Sequence, residues 1–118
     1  MKEVLAIIRR DKLSETKAGL LRIGVPGLTY ASAEGRGKTK GVDHSKTKIG
    51  EVKLARSQGF VPKILVSVIV EDGEMEGVVN KIIAINHTGV SGDGKIFVCP
   101  LEGCTRIRTG EQGSLALR

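Results

Sequence analysis

The ten residues Val61-Pro62-Lys63-Ile64-Leu65-Val66-Ser67-Val68-Ile69-Val70, followed directly by Glu71-Asp72-Gly73-Glu74-Met75, decide how the chain folds. A run so rich in valine and isoleucine has the length and composition of a strand. The acids at 71, 72 and 74 then stand where the unpaired N–H groups of a helix N-terminus favour negative charge. From there Met75, Val78, Val79, Ile82, Ile83 and Asn86 recur at intervals of three and four, which marks one inward face of an amphipathic helix ending near Gly89. The stretch reads as a strand feeding straight into a helix.

Working outward, Val4-Leu5-Ala6-Ile7-Ile8 is a short apolar run of the kind buried on both faces. Asp11 is placed to cap a helix from about Leu13, with Leu20 and Leu21 pointing inward and Gly24 as its C-terminal stop. Pro26-Gly27 turns the chain into a weaker strand, Leu28 to Glu34. Beyond the second helix, Lys95 to Pro100 and Thr105 to Arg108 read as a last strand interrupted around Gly103. The order β-α-β-β-α-β predicts an α+β, ferredoxin-like fold, an antiparallel sheet with both helices on one face. Strands apolar on both sides leave the other face needing cover, so the chain is expected to form a homo-oligomer.

At 118 residues the chain is expected to be a single domain, 1–118. Its apolar residues come in short blocks, none near the roughly 20 consecutive positions of a membrane span. No signal region is read at the start, and a reducing cytoplasmic location is expected. Cys99 and Cys104 lack a second pair or a histidine at zinc spacing and are given no metal role. The net charge of +6 and a pI near 9.6 are concentrated between Arg36 and Arg56. Only Tyr30, Phe60 and Phe97 are aromatic, too few to stack bases, so a nucleic-acid-binding ferredoxin-like domain is the minor reading. The stretch from Gly35 to Gly59 has no apolar period, and its length argues for a function, so a long mobile loop is expected over about 37–59.

Three constellations suit phosphate. Gly35-Arg36-Gly37-Lys38-Thr39-Lys40-Gly41 alternates glycines, which let backbone N–H groups approach a ligand, with cations. Gly89, Gly92 and Gly94 can present a nest of N–H groups, with Lys95 beside it. Arg106-Ile107-Arg108, taken as strand, would put two guanidiniums on one face. Each has a plain reading as a basic turn or an exposed face. No Ser/His/Asp set or carboxylate pair stands out, neither His44 nor His87 has a visible partner, and no enzyme is read.

The same residues carry a resemblance. Gly92-Asp93-Gly94-Lys95-Ile96-Phe97-Val98, Arg106-Ile107-Arg108-Thr109-Gly110-Glu111 and Gly35 to Gly41 closely resemble motifs of the PII nitrogen-regulatory signal-transduction family, as do Gly27-Leu28-Thr29 and Val61-Pro62-Lys63. The resemblance covers nearly the whole chain. It implies a homotrimer with ATP or ADP in clefts between subunits, and a long loop that reports ligand state to a target protein. Carried over, Ile7, Leu28 and Thr29 would line the adenine wall. Gly35, Arg36, Gly37 and Lys38 would follow the phosphates, facing Gly92, Asp93, Gly94 and Lys95, while Arg106 and Arg108 would bind the phosphate tail.

The resemblance also implies 2-oxoglutarate and magnesium as further ligands, with Lys63 on the carboxylate and Thr39 and Lys40 nearby. Thr39, however, stands where oxoglutarate-sensing members have a glutamine that helps hold the bridging magnesium, which leaves that site open. The loop lacks the tyrosine that some members present for uridylylation. Gly35 to Lys38, Ser57 to Lys63 and Asn86-His87-Thr88-Gly89 are most similar to the nitrogenase-associated branch. Members of that branch form mixed trimers or hexamers with a related PII subunit and inhibit nitrogenase. A PII-like regulator of a transporter or of a carbon or nitrogen metabolic enzyme is the alternative target reading.

Overall fold

The computed structural model describes residues 1–37 and 59–118. The expected mobile loop, with Lys38, Thr39 and Lys40, falls almost wholly outside them. The elements are β1 (Lys2–Ile8), a single 3-10 turn (Arg10–Lys12), α1 (Leu13–Arg22), β2 (Thr29–Gly35), β3 (Val61–Val70), α2 (Asp72–Asn86), β4 (Lys95–Pro100) and a short α3 (Ser114–Leu117). The four strands form one sheet in the order β2-β3-β1-β4, every pair antiparallel. This is the α+β split arrangement that the element order predicted.

Strand alternation builds the core. Val4, Ala6 and Ile8 on β1 and Ile64, Val66, Val68 and Val70 on β3 are buried in one cluster with Leu20 of α1 and Val78 and Ile82 of α2. Each such side chain contributes about 1.5–3 kcal/mol by leaving water. The two helices meet at Gly19, where an added Cβ would lie 2.3 Å from Ile85 Cδ1 and would push that side-chain end aside. Between them Asn86 Nδ2 donates to Thr16 Oγ1 at 3.1 Å and to the Ile82 carbonyl at 2.9 Å. On the opposite face Glu3, Leu5, Ile7, Lys63, Leu65, Ser67 and Ile69 are all partly accessible, and Phe97 is half exposed.

The helix ends follow local chemistry. Gly24 takes φ +85°, its N–H donates to Leu21 and that of Val25 to Leu20, so the last carbonyls of α1 are satisfied by a left-handed cap. At the start of α2, Glu71 and Glu74 form a reciprocal capping box.

Four expectations are corrected. Asp11 does not cap α1: it lies inside the 3-10 turn, Lys12 takes the cap position, and no side chain there bonds to the helix amides. Leu21 is 61% exposed, because the buried stripe of α1 runs Thr16, Gly19, Leu20 and the next residue turns about 100° away. Ile83 is half exposed at the rim of the α2 face. The last strand stops at Pro100. Leu101 N–H reaches the Met1 carbonyl, just past the Lys2–Pro100 pair that ends the ladder with β1. Residues 104–113 instead make a small hairpin closed by a Thr105–Gln112 bridge.

Candidate functional site

Antiparallel pairing brings the end of β1, the start of β3, the end of β2 and the start of β4 to one end of the sheet, an edge formed by strand termini rather than by an outer strand. Ile7 stands opposite both Leu65 and Lys95, and Gly35 opposite Val61. The loop between α2 and β4 passes over this edge. Gly92 and Gly94 have φ of +102° and +111°, and a Cβ on Gly94 would sit 1.8 Å from the Ile7 carbonyl oxygen. Only glycine permits that approach. Residues 91 and 92 form a turn closed at Asp93, and among the described residues the N–H groups of Ser91 and Gly92 have no acceptor. Successive free N–H groups on a glycine turn are the elements of a nest, which suits an anion, and Lys95 follows as the first residue of β4.

Asp93 does not face this nest as a ligand. Its carboxylate accepts the Thr88 and Gly89 N–H groups at 2.8 and 3.0 Å, the Thr88 hydroxyl at 2.5 Å and Arg9 Nη1 at 2.5 Å. These bonds, those from Thr88 first, hold its carboxyl well below the usual carboxylate range. Arg9 Nη2 also donates to the Ser91 carbonyl at 2.9 Å, and Lys63 Nζ to that of Gly92 at 2.5 Å. Partial burial pushes the Lys63 amine down, Arg9 adds to this, and Asp93 pulls it back up. At the base of the glycine turn, the Arg36 guanidinium lies over Phe60, 5.1 Å from the ring centre.

The opposite edge holds the rest of the predicted site. Thr29 pairs with Ser67, Leu28 packs against the core, and a hollow of about 510 Å³ opens between the Gly24–Gly27 turn, Ile69, Glu71 and Leu117. Arg106 and Arg108 follow β4 at this edge. They do not lie side by side on a strand, as expected, because residues 107–109 are a tight turn. Arg106 donates to Glu111 at 2.6 Å, to the Leu115 carbonyl at 3.1 Å and to the Arg118 carbonyl. Arg108 is exposed, with no ion-pair partner among the described residues.

One chain therefore gathers Ile7, Gly35, Arg36, Gly37, Lys63, Gly92, Asp93, Gly94 and Lys95 at one edge, and Leu28, Thr29, Arg106 and Arg108 toward the other. The five residue steps of β4 separate Lys95 from Pro100 by about 17 Å. Sequence reasoning missed Arg9 and Thr88. The available signal was the cation immediately after an apolar strand, which meets Asp93 only through pairing 84 residues away. Among the described residues no three His, Cys, Asp or Glu side chains gather as a metal site.

The four-stranded antiparallel sheet in the order β2-β3-β1-β4, with two helices packed on one face, defines a ferredoxin-like protein. The comparisons make this specific. The family model described as Nitrogen regulatory protein P-II matches residues 1–111, and the chain belongs to the PII family. It is 42% identical, over 126 aligned positions, to "Nitrogen fixation nifHD region GlnB-like protein 2" of Methanothermococcus thermolithotrophicus, covering 99% of this chain and 98% of that one. It is 41% identical to "Nitrogen regulatory protein P-II" of Azospirillum brasilense, with 99% and 100% covered. Among solved structures, Arabidopsis thaliana PII bound to citrate superposes with a TM-score of 0.77 at 32% identity, covering 99% of this chain and 89% of that chain. The protein is thus a PII-type nitrogen regulator with relatives named for nitrogen fixation. No helix among the described residues is long and apolar enough to cross a membrane.

Proposed function

We propose that the protein binds ATP or ADP between adjacent copies of itself and passes the occupancy of that site to a target protein through the segment at about 37–59. The observation that carries this reading is the division of the phosphate-friendly groups between two edges of one sheet. Lys95 and the glycine loop of one copy meet Arg108, and Arg106 where it can share its guanidinium with Glu111, only across a subunit boundary. A closed homotrimer brings unlike edges together in this way three times. Thr29 and the hollow beside Gly27 would take the base, Ile7 the adjoining wall, and Gly35, Arg36, Gly37 and Lys38 the phosphates. Asp93 serves the loop, so it leaves the group of direct contacts. The chain acts as a single domain and a binding module, with no chemistry of its own.

Lys63, with Arg9 beside it at the Gly92 carbonyl, supports a second, carboxylate ligand such as 2-oxoglutarate. The citrate in the plant relative has the same chemistry. Thr39 and Lys40 lie outside the described residues. Magnesium, in the absence of gathered acidic side chains among the described residues, would be held by nucleotide phosphates. The names of the archaeal relatives favour nitrogenase as the target, in a homotrimer or a mixed assembly with a related PII subunit in the cytoplasm.

Calorimetric titration with ATP, ADP and AMP, with and without magnesium and 2-oxoglutarate, tests the site. Tight binding graded by phosphate number is expected, and no binding of any of the three ends the reading. Nitrogenase that fails to co-elute with the protein under every nucleotide condition removes that target and leaves a transporter or metabolic enzyme.

A further inference from the structure

We propose that Arg9 is a positioning residue. From the end of β1 its guanidinium holds the 88–94 loop in the shape that receives phosphate, and Asp93 is the staple inside that loop. This rests on the nucleotide reading above.

The geometry separates holding from binding. Nη1 of Arg9 meets Asp93 at 2.5 Å and Thr88 Oγ1 at 3.3 Å, while Nη2 meets the Ser91 carbonyl at 2.9 Å. One rigid, planar fork thus spans the loop from 88 to 93. Arg9 and Asp93 are both largely covered, with 27% and 23% of their side chains exposed. Both carboxylate oxygens are already engaged, two donors on each, so Asp93 has little capacity left for a ligand. Its charge would also repel phosphate unless Arg9 balanced it. The arrangement turns the Ser91 and Gly92 carbonyls toward Arg9 and Lys63, which leaves the Gly92 N–H, on the peptide whose carbonyl Arg9 holds, for an anion. A loop with two left-handed glycines would otherwise sample many shapes, and ordering it would weaken binding.

The test combines amide hydrogen exchange across residues 88–94 in the ligand-free protein with calorimetric Kd values for ATP and ADP. It compares the parent with Arg9→Ala, Arg9→Lys, Asp93→Asn and the Arg9→Ala/Asp93→Asn double variant. In Arg9→Ala the Thr88 and Gly89 amides should exchange faster, and affinity for both nucleotides should fall roughly ten-fold, with Tm little changed. Arg9→Lys keeps the ion pair but loses the second arm to Ser91, so it should fall between. The double variant should be no worse than the weaker single one, because the two residues act as a unit. Lost affinity with unaltered loop exchange would make Arg9 a direct ligand contact and overturn the proposal, as would a loosened loop that binds as tightly as the parent. A parent that binds no nucleotide overturns the functional reading instead, and the exchange comparison then decides whether Arg9 holds the loop at all.

Discussion

At the scale of single residues, the glycine loop depends on two different properties of glycine, and substitution separates them. Gly89 and Gly94 both have positive φ, +84° and +111°, but an added Cβ meets nothing at Gly89 and the Ile7 carbonyl at Gly94. Gly89→Ala should therefore cost only the conformational strain, about 1 kcal/mol, whereas Gly94→Ala must also displace β1 or β4 and should cost about 2–5 kcal/mol. Urea denaturation of the two variants checks the difference, and equal losses would contradict it. The staple at Asp93 has its own pH signature. A carboxyl depressed in the folded state contributes stability that is complete above its unfolded value of 3.8 and is lost as pH falls through the folded one. The Thr88 and Gly89 amides, which donate to that carboxylate, should thus stay protected from exchange as pH drops from 7 to 4, and their exposure within that range would count against the Asp93 staple. Gly89, Gly92 and Gly94 were legible as turn positions because glycine takes positive φ without steric cost. Arg9 was not, since an arginine after a strand is usually a solvated end, and its partner is distant in sequence.

At the scale of elements, β3 was readable to the residue, and β1 and α2 to within two or three positions of their ends, because each carries a clear apolar pattern. The C-terminal segment was misread for an equally physical reason. Thr105 to Arg108 alternates like a strand, but alternation makes a strand only where a neighbour offers free N–H and C=O groups, and β1 begins at Lys2. The resulting hairpin gives the two arginines different work. Arg106 ties Glu111 and the α3 carbonyls together, while Arg108 projects from the turn. Arg106→Ala should destabilise the fold by about 1–3 kcal/mol by freeing a partly covered carboxylate and carbonyls. Arg108→Ala should change stability by less than about 0.5 kcal/mol yet weaken ATP more than AMP. Thermal melts and calorimetry on both variants check this. A destabilised Arg108→Ala protein, or one with parental ATP affinity, would reverse the assignment.

At the scale of the whole molecule, the sequence named most of the candidate residues, though not Arg9 or Thr88, and it did not show how they divide. Periodicity places residues on faces, whereas the folded strands show Lys95 at one end of β4 and Arg108 beyond its other end. If the site forms between unlike edges of neighbouring copies, then a loop defect and a hairpin defect belong to different sides of each junction. Lys95→Ala and Arg108→Ala should each weaken ATP when every subunit carries the change. When the two variants are unfolded together and reassembled in equal amounts, some junctions join the intact Lys95 of one subunit to the intact Arg108 of the next. Random assembly makes these roughly one quarter of all junctions. Parental-affinity sites should therefore reappear at about that fraction in a calorimetric titration, alongside weak ones. Two outcomes would refute the arrangement. If both groups serve one ligand within a single chain, mixing restores nothing, because each chain still lacks one of them. If the protein stays monomeric by light scattering at micromolar concentration, no junction exists to be restored, and the groups at the two edges would have to bind separate ligands.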